Sequence, residues 1–168
     1  MLETERDGIK TLTSRVYRLL KPYHIEEVSV DRELRRGEVA VKPLLGSICH
    51  ADMRYYTGNR RPESLAKKLP MALIHEGIGE IVESAAEEFA AGQKVVIIPN
   101  IPEDPSLDKA ARDQRLASDE SLEDNYSAKG SFLGSGTDGI AQSLLILPAL
   151  CVVPIPEEVP DEIAVLTE

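Results

Sequence analysis

The sequence predicts a mainly β domain built as a small barrel or sandwich of six or seven short strands. Eleven glycines and eleven prolines stand among 168 residues, and only 4% of the residues are aromatic, which is typical of short strands joined by many turns. Apolar residues make up 42% and charged residues 29%, as in ordinary globular proteins. A chain of this length suits one domain with a hydrophobic core and is short for two.

The first part of the chain predicts an arm followed by two strands. Residues 1–12 are expected to form a loose N-terminal arm, and the domain is expected to occupy residues 13–168. The segments SRVYRLLKP and HIEEVSVD then predict two short strands with a break at Pro22, because proline lacks the N–H group that a strand interior uses.

The next strand is predicted from Glu38 to Pro43, where the side chains alternate along the sequence. Val39 and Val41 share one face, and this period of two indicates a strand with one buried face. The chain is expected to leave this strand through Gly46 into a loop or a short helix.

Four more apolar segments predict the remaining strands. Two of them run from Gly79 to Ser84 and from Lys94 to Pro99, and the others are GIAQSLLILP and CVVPIP. No internal repeat is present. Cys151 lies in the last of these segments and is expected to be a core residue, because unpaired cysteines behave as small apolar side chains.

Two segments depart from the β pattern. Residues 102–124 carry eight acidic and three basic residues, and such a charge run predicts a solvated insertion. Residues 160–168 begin with Pro-Asp-Glu, which favours the first turn of a helix. Because the sequence stops inside this predicted helix, we interpret the chain as a domain taken from a longer protein.

The charge and the apolar pattern exclude several classes of function. The net charge of −10 argues against a nucleic-acid partner, because binding nucleic acid requires a basic face. No apolar run reaches the roughly 18 residues of a membrane span, and the charged N-terminus does not resemble a secretory signal. Two cysteines are too few for a disulfide framework, so a cytoplasmic location is expected.

Three residues at predicted strand ends have the side chains of a metal site. Cys49 follows one predicted strand, whereas His75 and Glu76 directly precede another. Catalytic zinc takes three protein ligands from Cys, His and carboxylate and keeps one position open. Most single cysteines and histidines of this kind are instead packed in cores, so the residue types alone leave both interpretations open.

The flanking segments resemble a known family. GSICHADMRYYTG, LPMALIHEGIGEIVE and GQKVVIIPN, in this order, are similar to the signature of the zinc-dependent medium-chain alcohol dehydrogenases, and the resemblance extends from Val16 to Glu168. It implies a GroES-like, partly open β-barrel that forms the catalytic domain of a two-domain dehydrogenase. CHADMRYYTGNRRP, KKLPMALIHE and SFLGSGTDGIAQSLLILP look most like ribulose-5-phosphate reductases, which make ribitol 5-phosphate, with sorbitol-type polyol dehydrogenases next.

The resemblance implies roles for individual residues of this chain. Cys49, His75 and Glu76 match positions at the catalytic zinc, and Glu168 matches the position of a further carboxylate ligand. Asp52 matches an aspartate just behind the metal ligands, where carboxylates commonly orient a metal-bound histidine. His50 matches a position that faces the diphosphate of the cofactor.

Three departures from the family pattern refine this expectation. Ala51 replaces the usual serine or threonine that begins a proton relay, so a water molecule or another side chain would carry the proton. Ile74 replaces the glycine that usually precedes the His-Glu pair. The four-cysteine lobe that holds a structural zinc in many relatives is also missing, and the acidic residues 102–124 stand in its place. One catalytic zinc is therefore expected.

The sequence contains no dinucleotide-binding motif within these residues. GSGTDG, at 134–139, has glycines like those of a phosphate loop but precedes a predicted strand, so it predicts a turn. A Rossmann domain that binds NADP or NAD is therefore expected beyond Glu168. We also expect any homo-oligomer to form through that domain.

A basic stretch lies between the expected zinc ligands. Its cations are Arg54, Arg60, Arg61, Lys67 and Lys68, opposed between residues 54 and 68 only by Glu63. The general expectation for such a stretch is a solvated surface. Its place beside the expected zinc favours capture of a phosphorylated substrate, because arginine and lysine bind phosphate well.

These expectations define one leading hypothesis and two alternatives. The leading one is reversible hydride transfer between NAD(P)H and a polyol phosphate, with ribulose 5-phosphate and NADPH as the pair that the resemblance implies. The first alternative is a GroES-like binding or assembly module without catalysis. The second is a zinc alcohol dehydrogenase that acts on an unphosphorylated alcohol or polyol.

Overall fold

The computed structural model describes residues 9–102 and 130–167. Within them the strands are β1 (Lys10–Lys21), β2 (His24–Leu34), β3 (Glu38–Ser47), β4 (Met71–Ala72), β5 (Glu76–Ser84), β6 (Lys94–Ile97), β7 (Asn100–Ile101), β8 (Ser131–Phe132), β9 (Leu145–Pro148) and β10 (Val152–Pro154). The helices are α1 (His50–Tyr56), α2 (Pro62–Lys68) and α3 (Asp161–Ala164), with a 3₁₀ turn at Ala149–Cys151.

A five-stranded antiparallel sheet forms the centre of the fold. Its strand order is β10-β6-β5-β3-β9, and the long β1–β2 hairpin pairs with β4 in a second sheet of three strands. The curled sheet gives the partly open, GroES-like half-barrel that the resemblance implied. Gly79 lets β5 approach β3 closely, because a Cβ atom there would lie only 2.4 Å from Cγ1 of Val41.

The interior of β3 is more deeply buried than its sequence pattern predicted. Val39, Ala40 and Val41 are all fully buried, so the expected half-buried strand with one polar face is wrong over these three residues. Ala40, on the second face, has a small apolar side chain, and β3 is flanked by β5 on one side and β9 on the other. Its core neighbours include Ile81, Val95, Ile97, Leu145 and Leu147.

The β1–β2 hairpin is longer than predicted. Its two strands do separate around Pro22, where Tyr23 has a φ of 62°. The first strand, however, begins at Lys10, inside the expected 1–12 arm, and residues 1–8 lie outside the described part of the chain. Register runs from Lys10 opposite Leu34 to Lys21 opposite His24. Val16 and Leu19 are the buried residues that fix this hairpin to the body.

The other predicted elements are present with shifted ends. β3 continues to Ser47, so Gly46 belongs to the strand and is not its exit. β5 begins at Glu76 and not at Gly79, and β6 ends at Ile97. Helix α2 was not predicted. Apart from Pro102, the acidic insertion 102–124 lies outside the described residues.

The C-terminal helix begins where its sequence indicated. Pro160 is the N-cap of α3, and Asp161 and Glu162 occupy the first turn. Lys94 of β6 forms an ion pair with Asp161 at 2.7 Å, which connects the start of this helix to the central sheet. The helical residues end at Ala164, and Glu168 lies outside the described part.

Candidate metal centre

Antiparallel pairing of β3 with β5 brings the predicted ligands together. The end of β3 and the start of β5 are neighbours, because Ser47 pairs with Glu76. Cys49 comes two residues after the end of β3, and His75 stands directly before β5. Two segments separated by more than twenty positions in the sequence thus meet at one corner of the sheet.

Cys49 is held in place as the N-cap of α1. Its Sγ accepts a hydrogen bond from the N–H of Ala51 at 3.2 Å, and its own N–H donates to Oδ2 of Asp52 at 3.0 Å. The N–H of Asp52 also donates to this sulfur, and together with the bond from the N–H of Cys49 to the Asp52 carboxylate it forms a capping box, which satisfies N–H groups that a helix start otherwise leaves unpaired. The expected loop or short helix after β3 is therefore a helix that begins immediately after the cysteine.

The donor atoms of Cys49, His75 and Glu76 all lie within 4.8 Å of one another. The Sγ of Cys49 is 3.6 Å from Nε2 of His75, and that nitrogen is 3.8 Å from Oε1 of Glu76. Ligands at tetrahedral zinc are separated by roughly 3.3–3.8 Å. The two distances and the mixed Cys, His and carboxylate chemistry are therefore compatible with ligands of a zinc ion.

The surroundings of Cys49 favour its neutral form in the absence of a cation. Burial is the main cause that raises the pKa of this thiol, and the carboxylate of Asp52 adds to the effect, while N–H donors of Asp52 and Ala51 oppose it. A coordinated metal ion reverses this preference, because a coordinating thiol is deprotonated. The electrostatic setting thus couples the charge of Cys49 to the presence of a cation.

Asp52 connects the two ligand-bearing segments. Its side chain is buried, with the residue 3% exposed. One oxygen accepts from the N–H of Cys49, and the other accepts from the N–H of Ile74 at 2.9 Å. Because both bonds go to backbone groups, Asp52 fixes the positions of the segments that carry Cys49 and His75. The expected contact with the His75 ring is not among these bonds.

Two other predicted site residues, His50 and Glu168, are not among these donors. His50 is the first residue of α1 and is exposed. Its expected contact with a cofactor stays a prediction. Glu168 lies outside the described residues, so its role as a ligand also stays a prediction. Ala51 offers its N–H to Cys49 and has no hydroxyl to pass a proton.

The basic stretch divides into two groups. Arg54, Arg61 and Lys67 are exposed. Arg60 and Lys68 are half-buried and face Tyr55, with the guanidinium carbon of Arg60 3.9 Å and Nζ of Lys68 6.0 Å from the ring centroid.

Two residues that contact the predicted site residues were not predicted from the sequence. Ser135 accepts a hydrogen bond from Lys68, and the ring of Phe132 packs edge-on against His75 at 5.2 Å between centroids. Both belong to the segment that contains GSGTDG, which is a turn as predicted, with Gly134 and Gly136 at positive φ. Nothing in the local sequence indicates that this turn lies beside His75 and Lys68.

The fold is that of a GroES-like domain of the dehydrogenase type, and one corner of its sheet carries a donor set that could hold a metal ion. The chain belongs to the family of alcohol dehydrogenase GroES-like domains, whose model matches residues 35–157. It is 36% identical over 157 residues to ribulose-5-phosphate reductase 1 of Staphylococcus aureus (strain NCTC 8325 / PS 47), covering 94% of this chain and 42% of that protein. The ribulose-5-phosphate reductase of Streptococcus pneumoniae is also 36% identical, over 161 residues, with the same coverage of both chains.

Solved structures agree with this assignment. The crystal structure of S. aureus TarJ in complex with NADPH superimposes with a TM-score of 0.65 at 30% identity, over 94% of this chain and 38% of that one. L-idonate 5-dehydrogenase from Escherichia coli has a TM-score of 0.72 at 20% identity, over 93% and 43% of the two chains, which supports the fold alone. The chain thus spans about two fifths of the curated relatives. In its described part, no helix has the length and apolarity of a membrane span.

Proposed function

We propose that this chain is the catalytic domain of a zinc-dependent oxidoreductase that interconverts a ketose phosphate and a polyol phosphate. The single observation that carries the proposal is the cluster of Cys49, His75 and Glu76 at the corner of the sheet. The proposed reaction reduces ribulose 5-phosphate to ribitol 5-phosphate, as the names of the similar reductases suggest. The proposed hydride donor is NADPH, which a similar structure contains.

The residues of the chain would hold and orient the reacting groups. Cys49, His75 and Glu76 would provide three ligands to zinc, and Asp52 would keep the two segments that carry them at a fixed separation. When bound, zinc supplies Lewis-acid chemistry that polarises the substrate oxygen. The ring of Phe132, packed against His75, would limit the access of water to this side of the site. Ala51 cannot pass a proton, so proton exchange at the substrate oxygen would use another group.

The exposure of the donors suits a catalytic role better than a structural one. The side chains of His75 and Glu76 are 14% and 24% exposed, so the cluster is partly accessible to solvent and does not lie in the core. Structural zinc sites use four protein ligands, whereas catalytic sites keep a position for water or substrate. The described residues supply three donors to this cluster, and the further predicted ligand, Glu168, lies outside them.

Zinc binding by the purified chain tests this proposal. We expect one zinc ion per chain after equilibrium dialysis, and a higher melting temperature with zinc, because binding only to the folded state stabilises it. Cys49→Ser and His75→Ala should each abolish stoichiometric binding. Cys151→Ala is the matched control, since that cysteine is buried in the hydrophobic core and is not one of the clustered donors, so its loss should leave the zinc content unchanged.

The same measurement decides between the proposal and the non-catalytic alternative. A wild-type chain that binds no zinc, and whose melting temperature zinc does not change, would identify this barrel as a binding or assembly module. A chain that binds zinc but has no preference for phosphorylated over unphosphorylated polyols would point to a zinc alcohol dehydrogenase for neutral substrates.

A further inference from the structure

Two cations of the basic stretch share one aromatic platform. Arg60 lies over the ring of Tyr55, a contact in which the guanidinium is attracted to the ring face. Lys68 approaches the same ring from α2 and donates to the hydroxyl of Ser135. The hydroxyl of Tyr55 is also hydrogen-bonded to Ser135, at 3.1 Å. Because Tyr55 is only 2% exposed, this platform is fixed in the body of the domain.

Both cations lack an anionic partner in the described part of the chain. No carboxylate there lies within ion-pair distance of Arg60 or Lys68. The Nε of Arg60 is buried and has no hydrogen-bond acceptor among the described residues, which is unfavourable for a charged donor. Lys68 has three N–H donors, of which one serves Ser135. The pair therefore has donors available for a bound anion.

The turn that carries Ser135 also contacts the segment that carries His75, and so links Arg60 and Lys68 to the metal-donor cluster. Phe132, at the start of the turn, contacts His75. Gly134 packs against Ile74, since a Cβ atom there would lie 3.3 Å from the Ile74 carbonyl carbon. Ser135 follows Phe132 by three residues, which span at most about 11 Å. A short phosphorylated sugar is long enough to bridge this distance from Ser135 to Phe132, which packs on His75.

We propose that Arg60, Lys68 and Ser135 form the subsite that binds the phosphate group of the substrate. This inference rests on the proposed function and deepens it, because it assigns phosphate binding to two cations of the basic stretch and not to the other three. Arg60 offers a planar fork of N–H donors, Lys68 offers a point charge, and Ser135 adds a hydroxyl that neither charge nor composition revealed. Arg54, Arg61 and Lys67 remain solvated surface cations.

Two double variants with the same change of charge test this division. Arg60→Gln/Lys68→Gln removes the proposed subsite, and Arg61→Gln/Lys67→Gln removes the adjacent exposed pair from the same loop and helix. Binding of ribitol 5-phosphate and of ribitol to the chain is measured by titration calorimetry, with zinc present, since the two ligands differ only in the phosphate. The melting curves of both variants report whether they fold.

We expect the first double variant to weaken binding of ribitol 5-phosphate by roughly 100-fold and to leave ribitol unchanged, as two charge-assisted contacts are lost. The second should change either affinity by less than about threefold. Ser135→Ala, which keeps the charge and both cations, should weaken phosphate-dependent binding about two- to fivefold. It and Lys68→Gln alone carry the test if the first double variant does not fold.

Two results would overturn the inference, and they are distinguishable. If the two double variants lose equal affinity for ribitol 5-phosphate, a diffuse positive field attracts the phosphate, and only the subsite is wrong. If the wild-type chain binds ribitol and ribitol 5-phosphate equally well, the proposed phosphorylated substrate is wrong as well, and the subsite with it.

Discussion

Two aspartates with little-exposed side chains, Asp52 and Asp138, hold the same short segment of the chain from opposite ends, and they differ in how their charge is balanced. Asp138 accepts from the N–H of Ala72 at 3.0 Å, and Asp52 accepts from the N–H of Ile74 at 2.9 Å. Their carboxylates are similarly protected from water, with the Asp138 side chain 8% exposed and the Asp52 residue 3% exposed. Between them they fix the backbone that leads into His75.

The difference lies in how each negative charge is balanced. Asp138 receives a two-pronged contact from Arg18 and a further contact from Arg32 at 3.0 Å. In the described part of the chain, Asp52 has only neutral backbone donors. A buried charge needs compensation. The charge of Asp138 is balanced by the two arginines, whereas the charge of Asp52 would be stabilised by a nearby cation. This comparison supports a stabilising role for Asp138 and a metal-supporting role for Asp52.

Removing the charge of Asp138 should have the largest effect on folding. We expect Asp138→Asn to lower the free energy of unfolding by about 2–4 kcal/mol, because it leaves two partly buried guanidinium groups without their anion. Urea denaturation of the chain measures this. Zinc affinity should be nearly unchanged. Asp161→Asn, which breaks the more exposed pair with Lys94, is the control and should cost less than about 1 kcal/mol. Equal losses in the two variants would contradict the assignment.

The complementary change at Asp52 should act mainly through the metal. We expect Asp52→Asn to reduce zinc affinity about 10- to 100-fold, as is typical when a carboxylate behind the metal ligands is lost. Without zinc, the free energy of unfolding should fall by about 1–2 kcal/mol, since an amide offers one acceptor where two N–H groups need one each. Competition with a chelator measures the affinity. A stability loss as large as that of Asp138→Asn, with unchanged zinc affinity, would reverse the comparison.

The charge balance of Asp138 also predicts a pH dependence. Burial alone would raise the pKa of this carboxyl, but the hydrogen bonds from Arg18 and Ala72 and the charge of Arg32 outweigh it and hold the pKa below its usual range. Because the folded pKa is the lower one, the resulting stability is complete above the ordinary aspartate value near 3.9 and is lost as the pH falls through the folded value.

The difference in unfolding free energy between wild type and Asp138→Asn should therefore be constant from about pH 5 to 7 and should shrink as the pH falls below about 4. Denaturation at a series of pH values measures this difference. Asp161→Asn, measured in the same series, should differ little from wild type at any pH. A difference that grows on acidification would contradict the lowered pKa.

The metal-donor cluster and the surroundings of Asp138 also differ in how far the sequence predicts them. The residue types of Cys49, His75 and Glu76 are compatible with a metal site, and the flanking segments, which resemble a zinc-dependent family, favour that interpretation. Asp138 looks like an ordinary turn residue within GSGTDG. Its partner Arg18 is 120 positions away in the sequence, and such long-range pairing leaves no local pattern.

Failed predictions in the fold have the same origin in long-range packing. The alternation of β3 predicted one buried face, but in the folded domain Ala40 on the other face is as fully buried as the valines. The pairing of Lys68 with Ser135 joins α2 to a distant turn, so composition identified the basic stretch without showing which of its residues act. Local periodicity therefore predicted the elements, whereas their partners required the tertiary structure.

Ile74, whose N–H is bound by Asp52, provides the test with the smallest expected effect on stability. Ile74 has a φ of 70°, a left-handed conformation that costs a side chain with a Cβ atom roughly 1–2 kcal/mol. The N–H bond to Asp52 and the bond that its carbonyl accepts from Ile140 at 2.7 Å hold it there. Its side chain packs against both hydrophobic clusters, which offsets part of the cost of this conformation.

A glycine–alanine pair at this position separates strain from packing. Ile74→Ala and Ile74→Gly both lose the packed side chain, but only alanine keeps the Cβ atom that the left-handed backbone disfavours. After allowance for the greater freedom of unfolded glycine, we expect Ile74→Gly to be more stable than Ile74→Ala by about 0.5–1 kcal/mol, measured by thermal unfolding. At Ala72, in β4, glycine should instead be less stable than alanine by about 1 kcal/mol. If alanine were the more stable at both positions, the two aspartates would not be holding Ile74 in a strained conformation, and the fixed path into His75 would have another cause.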